Sequence, residues 1–127
     1  MLISIDKDDA RPLYLQIVIQ LKEQICKGTL KQGDELPSVR ELADNLGINM
    51  HTVRSAYIKL REQGIINLAL GRRATIARLK QPDNKKLTEA EITARLQELM
   101  TDALLMGLKP DEIQQLLSQQ IEELKNR

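Results

Sequence analysis

Between Ser38 and Gly64 the chain carries two short amphipathic segments separated by a turn of about four residues, a pattern that leaves few folds open. Ser38-Val39-Arg40-Glu41 sets a serine three residues before a glutamate. Such a capping box satisfies two free amides at a helix start, so a helix is expected to begin here. Val39, Leu42, Ala43 and Leu46 supply its buried face, and Gly47 its end. Asn49 can cap a second helix running from Met50 to Gln63. Its Val53, Ala56, Tyr57 and Leu60 fall at i, i+3, i+4 and i+7, which is one apolar stripe, and Gly64 is the stop. Ala43 lets the helices approach and Gly47 permits the turn. The segment reads as a helix-turn-helix.

The flanks extend that reading. Ile65 to Leu70 and Ala74 to Leu79 have strand character around a turn at Gly71-Arg72-Arg73. A two-stranded ribbon is marginal alone and must pack on helices. A helix-turn-helix followed by a ribbon is winged-helix order. Upstream, Leu2 to Ile5 is a candidate short strand. A first helix is expected from Pro12 to about Lys27, with Tyr14, Ile17, Val18, Leu21 and Ile25 on one face. Gly28 to Pro37 reads as a loop whose Leu30 and Leu36 tuck back onto the core. Aromatic residues make up only 2% of the chain, Tyr14 and Tyr57, so the core must be aliphatic and the balance tilts towards helices.

Residues 1–80 thus form an expected winged helix-turn-helix domain, and the Pro, Asp, Asn and Lys of 81–86 have linker composition. Residues 87–127 follow as a two-helix hairpin. Thr88-Glu89-Ala90-Glu91 is a second capping box. Ile92, Leu96, Leu99, Ala103 and Met106 recur at spacings of four and three; after Gly107, Pro110 opens a helix bearing Ile113, Leu116, Leu117, Ile121 and Leu124. The fold class is mainly α with a small β-hairpin. A hairpin of about 40 residues is near the lower limit for a self-sufficient core. Its stripes are too wide to face only each other, so two copies are expected to pair into a four-helix arrangement. The competing arrangement packs the tail back on its own first domain.

Charge and motif exclusions narrow the function. Residues 1–80 hold 13 Lys/Arg against 9 Asp/Glu, whereas 81–127 hold 6 against 9. Within 38–80 the balance is 8 basic to 3 acidic, the bias a phosphate-facing surface requires. No apolar run approaches the roughly 20 residues of a membrane span, and the acidic start is unlike a signal peptide, so a cytoplasmic protein without membrane attachment is expected. A lone Cys26 forms no internal disulfide and reads as a buried small residue on a helix. His51 is the sole histidine, so neither a histidine-rich metal site nor a Ser-His-Asp triad can be assembled. No nucleophile–base pair and no phosphate-binding glycine loop is visible. The chain is read as a non-enzyme without cofactor or metal.

The polar face of the second helix of the motif is the sharpest clue. A recognition helix sets its N-terminal residues against base edges in the major groove of double-stranded DNA. Here those residues are Asn49, Met50, His51, Thr52 and Arg54. His51 and Asn49 can hydrogen-bond bases or phosphates, Met50 can touch a thymine methyl, and Arg54 can read guanine or hold phosphate. Outside this context His51 is a solvated helix residue. Arg40, in the first turn after the Ser38 cap, can hold a phosphate together with the helix N-terminus, or stand as an exposed arginine near Asp44. Arg72 and Arg73 at a ribbon tip have reach but no packing role; without the helix-turn-helix they are a solvated turn.

These residues also carry a resemblance. Pro12 to Ile17, Leu36-Pro37-Ser38-Val39-Arg40-Glu41-Leu42-Ala43, Thr52-Val53-Arg54-Ser55-Ala56-Tyr57, Leu60, Gly64-Ile65-Ile66 and Gly71-Arg72 closely resemble the N-terminal domain of the GntR family of bacterial transcription regulators. The resemblance implies DNA contacts from the Pro-Ser-x-Arg motif (Ser38 and Arg40), from Asn49 to Thr52 and Arg54, and from the wing tip Gly71 to Arg73. The chain departs from the family at Met50, where arginine is common. It departs again at Arg73-Ala74, where glycine and then threonine or serine are common. The second departure implies a more basic, less flexible wing. The short tail resembles the YtrA-like branch, whose C-terminal helices serve dimerisation and which is associated with membrane-transporter operons. A homodimeric regulator, a repressor, on a palindromic operator is the expectation, with half-site centres about 34–36 Å or a multiple apart. The rival is a winged-helix protein-interaction module that binds no DNA. The tail has neither an aromatic residue nor a histidine, so little in it marks an effector pocket.

Overall fold

A computed structural model describes residues 3–78 and 88–125, which fall into two compact units, one in each range. The strand end expected at Leu79, the linker and Leu87 lie outside the described residues. The first unit contains α1 (Leu13–Cys26), α2 (Val39–Leu46), α3 (Met50–Glu62), β1 (Ile66–Asn67) and β2 (Thr75–Ile76). The second contains α4 (Glu89–Leu105) and α5 (Pro110–Lys125).

The core of the first unit is aliphatic around one tyrosine. Ile17 and Leu21 of α1, Leu42 and Ala43 of α2, and Val53, Ala56, Tyr57 and Leu60 of α3 are buried together with Leu36, Ile66, Ala74 and Ile76. Leu30 and Leu36 do tuck back from the loop, whereas Cys26, expected to be buried, is exposed because it falls at the last position of α1. Both α1 and α2 pack on α3, so α3 is the element around which the unit is organised. Pro12 sits at the N-cap of α1, with φ −54° and ψ 148°, one position before its expected place.

Residues 3–6 do not form the expected strand. They run extended beside α1, and two glutamines stand in for a strand partner. The Gln20 amide accepts from Ser4 N at 3.0 Å and donates to Ser4 O at 2.6 Å. One turn earlier, Gln16 does the same for Asp6, at 2.9 Å each way. Gln16 is 3% exposed yet costs little to bury, because its Nε2 also reaches Arg11 O at 3.2 Å.

The ribbon is shorter than expected but wider. β1 and β2 pair antiparallel only at Ile66–Ile76 and Asn67–Thr75. The segment expected as a plain loop flanks β2 on its other side, where Glu35 bridges Thr75. Leu36 N donates to Ala74 O at 2.8 Å, Ile76 N to Asp34 O at 2.9 Å and Gly33 N to Ile76 O at 2.9 Å. With β1 on one edge and these bonds on the other, a two-residue strand is held where a free hairpin would fray.

In the second unit Thr88 caps α4 by accepting from Glu91 N at 3.2 Å. The return bond of a full capping box is not among the described hydrogen bonds, so the expected box forms by one half. Pro110 opens α5 as expected, with Lys109 N donating to Glu112 Oε1 at 3.0 Å. No residue of α4 or α5 is buried.

Candidate nucleic-acid interface

The interface candidate is built on two helix starts and a hairpin. Ser38 Oγ accepts from Glu41 N at 3.0 Å, and Glu41 Oε1 accepts from Ser38 N at 3.3 Å. This complete capping box fixes where α2 begins and leaves Ser38 engaged with its own backbone. Arg40 stands exposed in the first turn with no ion pair among the described residues; the Asp44 pair that helical spacing allows is not formed. Gly47 then takes φ 67°, a left-handed conformation that a side chain would oppose. Ile48 N returns to Ala43 O at 3.1 Å, which closes α2 and turns the chain into α3.

Asn49 caps α3, its Oδ1 accepting from His51 N at 2.8 Å. The buried stripe of Val53, Ala56, Tyr57 and Leu60 then dictates what faces out. At 3.6 residues per turn the opposite face centres on His51 and Ser55, with Arg54 beside them. All three are exposed. Met50 is turned the other way and packs half-buried on the core, and Thr52 is also half-buried. The thymine contact expected of Met50 is therefore not what its side chain is placed to make. Ser55, which the motifs do not single out, lies four residues after His51 on the helical face that the stripe leaves free.

A buried hydroxyl locks α3 to the loop before α2. Tyr57 Oη donates to Pro37 O at 2.6 Å, across twenty residues of chain. Burial pushes the phenol well above its ordinary value, helped by the negative charge of Glu41.

The wing tip holds Leu70, Gly71 at φ 76°, and Arg72. Leu70 is fully exposed and Arg72 has no side-chain partner among the described residues. Arg73 differs from the expectation of a free, reaching arginine. Its Nη2 lies 2.7 Å from Glu41 Oε1, and its Nη1 donates to Leu36 O at 3.5 Å. The Glu41 carboxyl is held below its usual range, first by the Ser38 hydrogen bonds and then by Arg73. Among the described residues, no group of three or more His, Cys, Asp or Glu could hold a metal ion, and no helix is long and apolar enough to cross a membrane.

Two short packed helices joined by a turn at Gly47, with a hairpin after the second, define a winged helix-turn-helix of the DNA-binding class. Residues 13–76 match the family described as bacterial regulatory proteins, gntR family. The chain belongs to the GntR family and is a transcription regulator. It is similar to the HTH-type transcriptional repressor YtrA of Bacillus subtilis (strain 168), with 38% identity over 117 residues, 88% of this chain and 86% of that protein. Among solved structures, YtrA from Sulfolobus acidocaldarius, a GntR-family transcription factor, has a TM-score of 0.65 and 36% identity, over 80% of this chain and 99% of that one. A transcriptional antiterminator from Listeria monocytogenes EGD-e has a TM-score of 0.89 and 33% identity, over 98% of this chain and 93% of that one. The resemblance to the family read from the motifs, and the mainly helical fold with its small hairpin, are therefore borne out.

Proposed function

We propose that the chain is a homodimeric, sequence-specific repressor that binds double-stranded DNA at a palindromic operator. The observation that carries the DNA reading is the anchoring of α3: one face is fully buried, so His51, Arg54 and Ser55 are held outward at the start of the helix. Arg40 at the α2 N-terminus and Arg72 on the wing flank that face with phosphate-seeking charge. Ser38 and Asn49 contribute by fixing the two helix starts, and Gly71 by turning the wing. Met50 and Thr52 border the reading face and are not its centre.

The homodimer rests on the second unit. Its apolar side chains, among them Ile92, Leu96, Leu99, Leu117 and Ile121, are exposed, while Ala103, Ile113 and Leu124 are half-buried and Met106 stands at the end of α4. An unburied apolar face on a unit this small calls for a second copy. The 1–80, 81–86 and 87–127 division assigns reading to the first domain, spacing to the linker and pairing to the last. Repression follows the YtrA likeness, and an operon for a membrane transporter is the target class that branch implies. A cytoplasmic location suits a DNA-binding regulator.

Selection of bound duplexes from random DNA with the full chain tests this reading. The expected product is an inverted repeat whose half-sites lie about 34–36 Å, or a multiple, apart. Affinity should fall steeply with salt, because each neutralised phosphate releases counterion. Failure to retain any duplex across salt concentrations would favour a protein-interaction module instead.

A further inference from the structure

Arg72 and Arg73 are neighbours in sequence but not in company. Arg72, at the tip, has no side-chain partner among the described residues. Arg73 sits where the returning arm of the wing meets the start of α2. The carboxylate oxygen that pairs with its guanidinium at 2.7 Å is the one that accepts the Ser38 amide of the capping box. Its second nitrogen leans on Leu36 O, and the Leu36 amide is bonded to Ala74 O, the residue after Arg73. Side chain and backbone thus stitch the same two segments together. Arg73 also lines an open groove of about 530 Å³ with Ile3, Leu42 and Leu46 among others, and the polar partners of its guanidinium are the Glu41 carboxylate and Leu36 O.

We propose that Arg73 is a positioning residue. Through Glu41 it fixes the wing against the first turn of α2, so that Arg72 and Arg40 face one DNA backbone in a set relation, and it spends its own charge on protein rather than phosphate. The inference rests on the DNA-binding reading above. The pair is half-exposed on both sides, which limits its worth to that of a surface ion pair. That is too little to hold the fold, but enough to bias the orientation of a hairpin whose strands are two residues long.

Arg73→Gln and Glu41→Gln in the full chain separate the possibilities; glutamine at position 41 keeps the capping box. In the free protein, the heteronuclear NOE of residues 70–73 should fall in each variant and fall no further in the double variant. Operator affinity of Arg73→Gln should drop about 2- to 30-fold, the range that two exposed pairs, one in each copy of the dimer, can supply. The salt slope should be unchanged. A slope shallower by about 1.8, one phosphate lost in each copy of the dimer, would make Arg73 a phosphate contact and overturn the proposal. Unchanged affinity would overturn it too, because the pair would then not set the wing for DNA. If the wild-type chain binds no duplex, the DNA reading fails, and the NOE measurement still decides whether the clamp orders the wing.

Discussion

The two units draw on the same aliphatic residues and reach opposite outcomes. In residues 3–78 three helices and a ribbon enclose Ile17, Leu21, Leu36, Val53, Tyr57 and Leu60 almost completely. In residues 88–125 the two helices are as long or longer, yet Leu99 remains 66% exposed and nothing is buried. The difference is one of geometry, not composition. Three helices and a ribbon can surround a volume; two helices can only share a seam. The first unit can therefore present a fixed surface by itself, and the second leaves its apolar face exposed.

The largest expected effect breaks the second unit without touching the first. Leu99→Glu sets a charge in the middle of the exposed stripe. If a second copy covers that stripe, the dimer should dissociate by several kcal/mol, since a buried unpaired carboxylate is heavily penalised. Sedimentation equilibrium should show a monomer, while the first unit's far-UV signal and melting stay as in wild type. Operator binding should fall with the dimer. A variant that remains dimeric would place the partner surface elsewhere.

A smaller effect tests how tightly the first unit is closed. Tyr57→Phe removes the 2.6 Å bond to Pro37 O and leaves that carbonyl without its donor. The cost should be about 1–3 kcal/mol in denaturant unfolding. The same hydroxyl gives a pH signature. Its folded pKa is raised, so its contribution is complete below the unfolded-state value near 10. It is lost as pH rises through the folded value. Wild type should lose stability above about pH 10 more steeply than Tyr57→Phe. Tyr14 is present in both, so the difference isolates Tyr57. Parallel curves would show that the hydroxyl is not held as described.

The same contrast explains what was legible in the sequence. The capping box at Ser38, the Gly47 turn, the Asn49 cap and the Val53–Leu60 stripe obey rules that span at most eight residues, and each stands where local chemistry puts it. What the sequence concealed is non-local. Gln16 and Gln20 serve as strand partners for Asp6 and Ser4. Residues 33–36 border β2. Arg73 finds Glu41 across 32 positions of chain, and no spacing rule links a wing arginine to a capping glutamate. Met50 shows a subtler limit. It lies at the start of α3 where contacts are expected, but its angle places it with the stripe, and an unbranched apolar side chain follows the core.

The smallest effect compares the two helix starts directly. Ser38 makes a reciprocal box at a half-buried position beside the wing, whereas Thr88 makes one bond, at 3.2 Å, at an exposed one. Ser38→Ala should cost about 1 kcal/mol of first-unit stability. It should also loosen Glu41, and with it the order of the wing around Arg73. Thr88→Ala removes one solvated cap from a helix that water can re-satisfy, so its cost should be a few tenths of a kcal/mol. The measurement is paired: thermal unfolding of each variant, and amide exchange at residues 70–76 and at 89–92. Ser38→Ala should speed exchange in the wing as well as in α2, and Thr88→Ala only in the first turn of α4. Equal losses, or a wing indifferent to Ser38, would mean that the cap of α2 acts alone and does not carry the wing with it.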